Sequence, residues 1–292
     1  MATDTIIEAK DLCLHFKIDE DYTVKAIDGV SLEIKDGEVF GLVGETGCGK
    51  STTARALCGM YKPTGGDILY RGESVKRKET LNRMHKEIQM IFQDSGAALN
   101  PRMTVEKIIL EPLKIHHMPV NSADIKHRFD YILEKSGLDK SHLSKYPQEL
   151  SGGQRQRVAI ARSLIMEPRL VVADEPVASL DISIQAQIIN LFKHLQNEHG
   201  FTILFIAHDL SVVRFISDRV GVMLKGRLVE LGPTEELFNN PVHPYTKSLL
   251  SAIHIPDPEY ERNKVFLEYD TEKPLGDTML EVSPGHFVLE EI

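Results

Sequence analysis

A glycine-rich run that ends in a lysine and a serine is the segment of this sequence that most directly predicts chemistry. Residues 44–51 read GETGCGKS and match the pattern G-x-x-x-x-G-K-[ST]. Glycines let backbone N–H groups approach a phosphate, and the following helix directs its positive N-terminus at the same anion. Lys50 adds a point charge for the β- and γ-phosphates, and the Ser51 hydroxyl is a hard oxygen ligand for Mg²⁺. The residues expected to contact a nucleoside triphosphate are Gly44, Glu45, Thr46, Gly47, Cys48, Gly49, Lys50, Ser51 and Thr52.

The local context of this run favours phosphate binding over a simple turn with a solvated lysine. The buried-type strand VFGLVG precedes the loop, and STTARALCGM follows it with helical spacing. Strand, glycine loop and helix are the order that such a phosphate site requires. Cys48 is expected to occupy a variable loop position rather than to act as an oxidation switch.

A pair of acids at the end of the apolar run LVVADE is the second candidate site. Four apolar residues suit a buried parallel strand, and ligands of open parallel sheets lie beyond the carboxyl ends of the strands. We expect Asp174 to hold Mg²⁺ directly or through water, and Glu175 to orient or deprotonate an attacking water. Alone, the pair would be better interpreted as two solvated acids, but the glycine-rich loop reverses that preference.

The segment LSGGQ at residues 150–154 predicts a second anion-binding helix N-terminus. Ser151 is a good N-cap, and Gly152 and Gly153 leave backbone N–H groups uncovered where the helix begins. A single nucleotide does not need two such helix ends from the same molecule.

The rest of the chain predicts an α/β core with a helical block inserted into it. Alternating patterns before the glycine loop indicate strands, helical spacing runs from about Asn100 to Met166, and strands return with RLVVAD and FTILFIAH. The predicted units are a core of residues 1–92 and 167–232, a helical subdomain of residues 93–166, and an extension of residues 233–292.

Several element boundaries can also be predicted from glycines and prolines. Pro112 is expected to end or kink one helix, and Gly137 to stop the next. The helix after LSGGQ is expected to run to Pro168, and a hairpin to turn at residues 225–226. Glu230, Glu235 and Glu236 are expected to form a solvated face.

Composition excludes several classes of protein. The 292 residues are 42% hydrophobic and 26% charged, with a formal net charge of −9, which disfavours sequence-independent binding to nucleic acid. The three cysteines are odd in number and lack zinc-like spacing, so we expect neither a disulfide framework nor a zinc site. No apolar window reaches membrane-spanning length, and the N-terminus lacks a signal-peptide pattern, so a reducing, cytoplasmic setting is expected.

The glycine loop, the LSGGQ segment and the acidic strand end together resemble the ATP-binding cassette (ABC) ATPases, in order and in spacing, over about residues 5–232. The resemblance assigns a Walker A loop to Gly44–Ser51, a signature motif to Leu150–Gln154, a Walker B strand to Leu170–Asp174, a catalytic role to Glu175, a glutamine loop to Gln93, a D-loop to Asp181 and a switch histidine to His208. It implies a P-loop NTPase (RecA-like) fold with a mainly parallel sheet, an N-terminal antiparallel β subdomain, the inserted helices and a short C-terminal extension.

The same resemblance implies how the nucleotide is bound. ATP and Mg²⁺ are the implied cofactors, with Ser51, Gln93 and Asp174 as metal-site residues. Two cassettes pair head to tail, so that Ser151, Gly152, Gly153 and Gln154 of one contact the ATP on the Walker A loop of the other. Tyr22 is the nearest candidate for stacking on adenine, although a surface strand residue is almost as good an interpretation. The D-loop reads Ala178-Ser179-Leu180-Asp181 where the family usually has S-A-L-D, which puts the role of Ser179 in doubt.

The segments FQDSGAALNPRMTVEKIILEPLKIH and LFNNPVHPYTKSLLSAIHIPDP are similar to the ATPase subunits of oligopeptide, dipeptide and nickel importers. That branch implies a related ATPase subunit as partner in a heterodimer, or a homodimer when isolated. It also implies two membrane permeases near residues 100–102, a solute-binding protein acting indirectly, and a peripheral location on the inner face of the cell membrane. The branch usually carries a cysteine motif near its end, but no cysteine follows Cys58, so the resemblance supports no metal or iron–sulfur assignment for the tail.

Two alternatives stay open at this point. The chain could be a soluble ABC ATPase that works in cluster assembly or on a macromolecule, or a cassette that binds nucleotide without turnover. Within the transport interpretation, the cargo is not specified by these residues.

Overall fold

The computed structural model describes residues 5–20, 22–120, 122–253 and 264–291, which form two sheets and a set of helices. The strands are β1 (Thr5–Lys17), β2 (Thr23–Lys35), β3 (Val39–Val43), β4 (Gly65–Tyr70), β5 (Glu73–Ser74), β6 (Ile88–Ile91), β7 (Leu170–Asp174), β8 (Thr202–Ile206), β9 (Arg219–Leu224), β10 (Arg227–Pro233), β11 (Leu275–Ser283) and β12 (His286–Glu291). The α-helices are α1 (Lys50–Leu57), α2 (Lys78–Glu87), α3 (Ser95–Ala98), α4 (Val105–Ile115), α5 (Ala123–Lys135), α6 (Gly152–Leu164), α7 (Ile182–His199), α8 (Leu210–Ile216), α9 (Thr234–Asn239) and α10 (Pro244–Ser251).

The central sheet brings the carboxyl ends of its parallel strands to one edge. Its order is β11-β12-β10-β9-β3-β8-β7-β6, and β6, β7, β8, β3 and β9 run parallel to one another. Every residue of β3, β7 and β8 is buried, as the continuous apolar runs predict for strands covered on both faces. The glycine loop follows β3 and the acidic pair ends β7, so both lie at the same edge of the sheet.

The N-terminal strands form a separate antiparallel sheet of order β2-β1-β4-β5. Its buried side chains include Ile7, Leu14 and Ile34, and they pack in one hydrophobic cluster with Phe40 and Leu57 of the core. The predicted antiparallel β subdomain is therefore confirmed, and it covers the strand and the helix that flank the glycine loop.

Helices α3 to α6 lie between β6 and β7 in the chain, as the predicted helical insertion requires. Pro112 lies inside α4, which continues to Ile115, so of the two predicted alternatives, an end or a kink, the helix end is wrong. The stop at Gly137 is confirmed by its φ of +66°. Helix α6 ends at Leu164 and not at Pro168. In the described part of the chain, no helix is both long enough and apolar enough to cross a bilayer.

The C-terminal hairpin is part of the central sheet rather than a separate appendage. Strand β12 pairs antiparallel with β10, and β11 pairs with β12. The turn between β9 and β10 lies at Lys225 and Gly226, both with positive φ, which confirms the predicted hairpin. The extension therefore continues the sheet that carries the glycine loop.

Glu230 of β10 is fully buried, so its predicted place on a solvated face is wrong. Its carboxylate accepts hydrogen bonds from the backbone N–H groups of Val242 and His243 at 2.9 and 3.0 Å. His286 Nε2 of β12 donates to the same carboxylate at 2.8 Å. One buried acid thus joins β10 to the start of α10 and to the C-terminal hairpin, which compensates the cost of burying its charge.

Glu230→Gln should lower the free energy of unfolding by about 2–3 kcal/mol, because an amide turns an N–H₂ group toward donors that need an acceptor. Urea unfolding of the full chain measures this change. Glu290→Gln on the exposed side of β12 is the matched control and should stay within about 0.5 kcal/mol of the wild type. Equal stability of the two variants would remove Glu230 from this role.

Candidate active site

The loop between β3 and α1 is fixed by close contacts of its own backbone. A Cβ atom at Gly44 would lie 2.2 Å from the carbonyl oxygen of Met223, and one at Gly49 would lie 2.3 Å from that of Ala26. Both glycines also have positive φ, at +146° and +108°. Only glycine combines a positive φ with such a close approach of a neighbouring carbonyl oxygen. These two glycines therefore let the loop pack tightly between strands β9 and β2.

Lys50 begins α1 and has only 4% of its side chain surface exposed. Its Nζ donates to the carbonyl oxygens of Gly44 at 2.7 Å and Glu45 at 2.9 Å. Both oxygen partners are neutral backbone groups, so the ammonium charge remains available to an anion. Cys48 is 5% exposed, and its burial raises the pKa of the thiol, which favours simple occupancy of the loop over redox activity.

Ser51 at the start of α1 and Asp174 at the end of β7 bring together two oxygen groups of the kind that bind hard metal ions. The Ser51 hydroxyl donates to Asp174 Oδ1 at 2.7 Å. Asp174 is fully buried, its Oδ2 accepts no hydrogen bond from the described residues, and Arg55 lies 3.8 Å from that oxygen. Burial raises the pKa of Asp174, and the Ser51 hydrogen bond offsets part of that shift. A divalent cation that prefers oxygen ligands fits this pair.

The predicted residues Gln93, Glu175 and His208 meet at one carboxylate oxygen. Gln93 Nε2 donates to Glu175 Oε2 at 3.0 Å, and His208 Nδ1 lies 3.3 Å from the same atom. Glu175 follows directly after the fully buried Asp174, yet its own side chain is 12% exposed. Its φ of +46° is unusual for a residue with a side chain, and such strain is typical of functional sites.

A cavity of about 800 Å³ opens in front of the phosphate loop, which is enough for a nucleotide. The described residues that line it are Phe16, Tyr22, Thr23, Val24, Lys25, Ala26, Thr46, Gly47, Gly49, Lys50, Ser51, Thr52, Gln93, Glu175, Lys225 and Gly226. Tyr22 is 59% exposed at this cavity, a position that suits the predicted stacking on a base. Sequence reasoning missed Phe16, Lys25 and Lys225, because nothing in their local patterns sets them apart from ordinary strand and turn residues.

The LSGGQ segment forms the predicted helix N-terminus, but away from this cavity. The Ser151 hydroxyl accepts from the Gln154 N–H at 3.3 Å, and Gln154 Oε1 accepts from the Ser151 N–H at 2.9 Å, which forms a capping box. A Cβ at Gly153 would lie 2.8 Å from Ile184 Cγ2. None of residues 150–154 and neither Asp181 nor Ile184 is among the described residues that line the cavity.

Residues 100–102 form an exposed turn on the helical insertion. The Arg102 N–H donates to Asn100 Oδ1 at 3.0 Å, a local bond of the kind that stabilises turns. These residues therefore form a turn before α4, and a contact to a permease stays a prediction.

Two sequence families match this chain. The family described as ABC transporter matches residues 27–178, and the one described as oligopeptide/dipeptide transporter, C-terminal region, matches residues 229–272. The chain is 52% identical to the oligopeptide transport ATP-binding protein OppF of Bacillus subtilis (strain 168), over 98% of this chain and 96% of that protein. It is 48% identical to the oligopeptide transport ATP-binding protein AmiF of Streptococcus pneumoniae, over 98% of this chain and 95% of that protein.

Solved structures with a similar fold are ATP-binding cassettes. The chain superposes on cbiO1 of Clostridium perfringens, part of an ABC transporter complex, with a TM-score of 0.71 and 31% identity, covering 81% of this chain and 92% of that one. A dimeric cassette in a post-hydrolysis state, bound to ADP and Pi, gives a TM-score of 0.71 and 29% identity, covering 78% of this chain and 98% of that one. These likenesses confirm the predicted fold class.

Asp174→Asn should raise the melting temperature of the nucleotide-free chain by about 2–4 °C, because it removes a buried charge and keeps an acceptor for Ser51. Scanning calorimetry without nucleotide measures this change. A lower melting temperature of the variant at neutral pH would show that burial of the Asp174 charge does not destabilise the nucleotide-free chain.

The sign of the pH dependence follows from the raised pKa of Asp174. The folded state binds this proton more readily than the unfolded state, so the destabilisation is fully present while Asp174 is ionised and disappears as the pH falls through the raised pKa. The difference in melting temperature between Asp174→Asn and the wild type should therefore shrink in acidic buffer. A difference that grows on acidification would contradict this account.

Proposed function

Because this chain belongs to the ABC transporter family, we propose that it is the ATP-hydrolysing subunit of an importer of oligopeptides. The observation that carries the proposal is the meeting of Gln93, Glu175 and His208 beside the phosphate loop. The cargo class rests on the C-terminal region, since residues 229–272 match the oligopeptide/dipeptide transporter region. This match also favours transport over work in cluster assembly or on a macromolecule.

The triphosphate of ATP binds on the phosphate loop. The first residues of α1 line the cavity, so its N-terminus, with the positive end of the helix dipole and its N–H groups, binds the phosphate oxygens. Lys50 supplies its charge at the same place, because the two oxygens that accept from its ammonium are neutral backbone carbonyls and its further contact is the Cys48 sulfur at 3.8 Å. Tyr22 stacks on the adenine at the outer wall of the cavity.

Mg²⁺ fits the oxygen donors on the inner side of the loop. Ser51 Oγ and Oδ2 of Asp174 would hold it, with Gln93 at the edge of the same cavity. When bound, it neutralises charge on the phosphate oxygens. The Oδ2 atom of Asp174 supports this assignment, because no described residue donates a hydrogen bond to it and Arg55 approaches it only to 3.8 Å, which is unfavourable for a buried oxygen.

Glu175 orients the attacking water and accepts its proton. Gln93 Nε2 and His208 Nδ1 hold one oxygen of its carboxylate, which leaves the other oxygen for the water. His208 has 56% of its side chain exposed and approaches the site through Glu175, whose carboxylate lines the cavity. The three side chains thus form one unit for hydrolysis.

A second cassette completes the site. The N-terminus of α6 is exposed at Ser151, and none of residues 150–154 is among the described residues that line the cavity of its own chain. It binds the triphosphate held by the partner cassette, with Asp181 at the same interface. The partner is a related ATPase subunit or a second copy of this chain, and loss of the γ-phosphate opens the pair.

The chain works at the inner face of the cell membrane, attached to two permease subunits. The exposed turn at residues 100–102 on the helical insertion is the region that contacts them. Rotation of this insertion transmits opening and closing of the cassettes to the permeases, and a solute-binding protein delivers the peptide on the opposite face.

Glu175→Gln should leave ATP binding intact and lower the hydrolysis rate by about 100-fold or more, because the amide cannot accept the proton of water. Phosphate release and nucleotide affinity measured on the same protein test this, and size-exclusion chromatography with ATP should detect a trapped dimer. A variant that hydrolyses ATP at the wild-type rate would exclude Glu175 as the base.

Deletion of this coding region should abolish uptake of labelled oligopeptides by the cells that carry it. The wild-type chain should restore uptake, and the Glu175→Gln variant should not. Oligopeptide uptake that persists in the deletion strain at the wild-type rate would contradict the proposed cargo.

A further inference from the structure

The C-terminal extension reaches the phosphate loop through one tyrosine. Tyr245 lies in the first turn of α10 and is 1% exposed. Its hydroxyl oxygen accepts a hydrogen bond of 3.1 Å from the backbone N–H of Glu45, a residue of the phosphate loop that lies 200 positions earlier.

Glu45 is held on both sides of its backbone. Its N–H donates to Tyr245, and its carbonyl oxygen accepts from Lys50 Nζ at 2.9 Å. The same carbonyl accepts from the N–H of Cys48 at 3.2 Å, which closes the turn of the loop. A displacement of Glu45 would therefore move both the loop and the ammonium that it holds.

Tyr245 is itself held rigidly. His243 caps α10, and its Nδ1 accepts from the Tyr245 N–H at 3.1 Å. The N–H of His243 in turn donates to the buried carboxylate of Glu230. The Tyr245 ring packs on the ring of Tyr269 at a centroid distance of 5.7 Å. Burial raises the pKa of the Tyr245 hydroxyl, so it stays a neutral phenol.

We propose that Tyr245 is a positioning residue for nucleotide binding, whose hydroxyl fixes the Glu45 peptide and through it the ammonium of Lys50. This inference rests on the proposed function, because it assigns to the extension a role at the same ATP site. The C-terminal extension thereby sets the affinity of a loop that lies far from it in sequence.

The test compares two variants that each remove one buried hydroxyl from the first turn of α10. Tyr245→Phe removes the acceptor of the Glu45 N–H and keeps the ring. Thr246→Val is the matched control, because Thr246 is 1% exposed and its hydroxyl has no hydrogen-bond partner among the described residues. Titration calorimetry with ATP and Mg²⁺ gives the Kd of the purified full-length proteins.

Tyr245→Phe should raise the Kd for ATP by about five- to tenfold, the effect of one buried hydrogen bond. Hydrogen exchange in the peptide that covers residues 44–50 should accelerate in the same variant. Thr246→Val should change neither quantity. A merely structural role of the helix would weaken binding equally in both variants.

Any other pattern overturns the proposal. Wild-type affinity or wild-type exchange in Tyr245→Phe would show that the hydroxyl does not position Glu45, and equal effects of the two variants would assign the change to general packing. Failure of the wild-type chain to bind ATP would overturn the proposed function, and the positioning role with it.

Discussion

The site depends on one constraint, which is that the loop after β3 fits only without side chains at Gly44 and Gly49. The carbonyl oxygens of Met223 and Ala26 occupy the space that their Cβ atoms would need. Met223 belongs to the central sheet and Ala26 to the N-terminal sheet, so both sheets fix the loop. The antiparallel sheet is thus a wall of the phosphate site and not a peripheral addition.

Parallel strands then bring the polar groups to that loop, at a cost in stability. Asp174 and Glu175 are adjacent in sequence but lie in different surroundings, one fully buried against Ser51 and the other at the cavity edge with positive φ. Burial of the first and backbone strain at the second each oppose folding, by about 1–3 kcal/mol for the strained residue. The two large hydrophobic clusters stabilise the fold enough to offset the cost of burying Asp174 and of the backbone strain at Glu175. The functional residues therefore lie where the fold is locally unfavourable.

Much of the fold and of the site could be predicted, because the signals were local. Continuous apolar runs predicted β3, β7 and β8, and short motifs placed their polar residues at the ends of those strands. Pro112 was expected to end or kink its helix, yet α4 continues past it to Ile115, because a lost backbone hydrogen bond counts for less than burial of Ile109 and Leu113 on the same helix.

The features that sequence reasoning missed depend on contacts between distant residues. Glu230 looks like a surface acid until His286, 56 residues later, is placed against it. Tyr245 looks like an ordinary helix residue until Glu45 is seen to donate to it. The LSGGQ segment, by contrast, lies where the sequence-based expectation of a ligand on a second cassette allows, since none of its residues is among the described residues that line the cavity of its own chain.

Mixing two inactive variants tests this central claim most directly. Lys50→Ala removes the lysine with which a cassette binds the phosphates of its own ATP. Ser151→Arg blocks the N-terminus of α6, which should contact the ATP bound to the partner cassette. Under conditions in which the wild-type chain alone hydrolyses ATP, each variant should be inactive and their mixture should regain hydrolysis, since a mixed pair contains one intact composite site. A mixture that stays inactive while mixed dimers form would show that both motifs serve the nucleotide of the same chain.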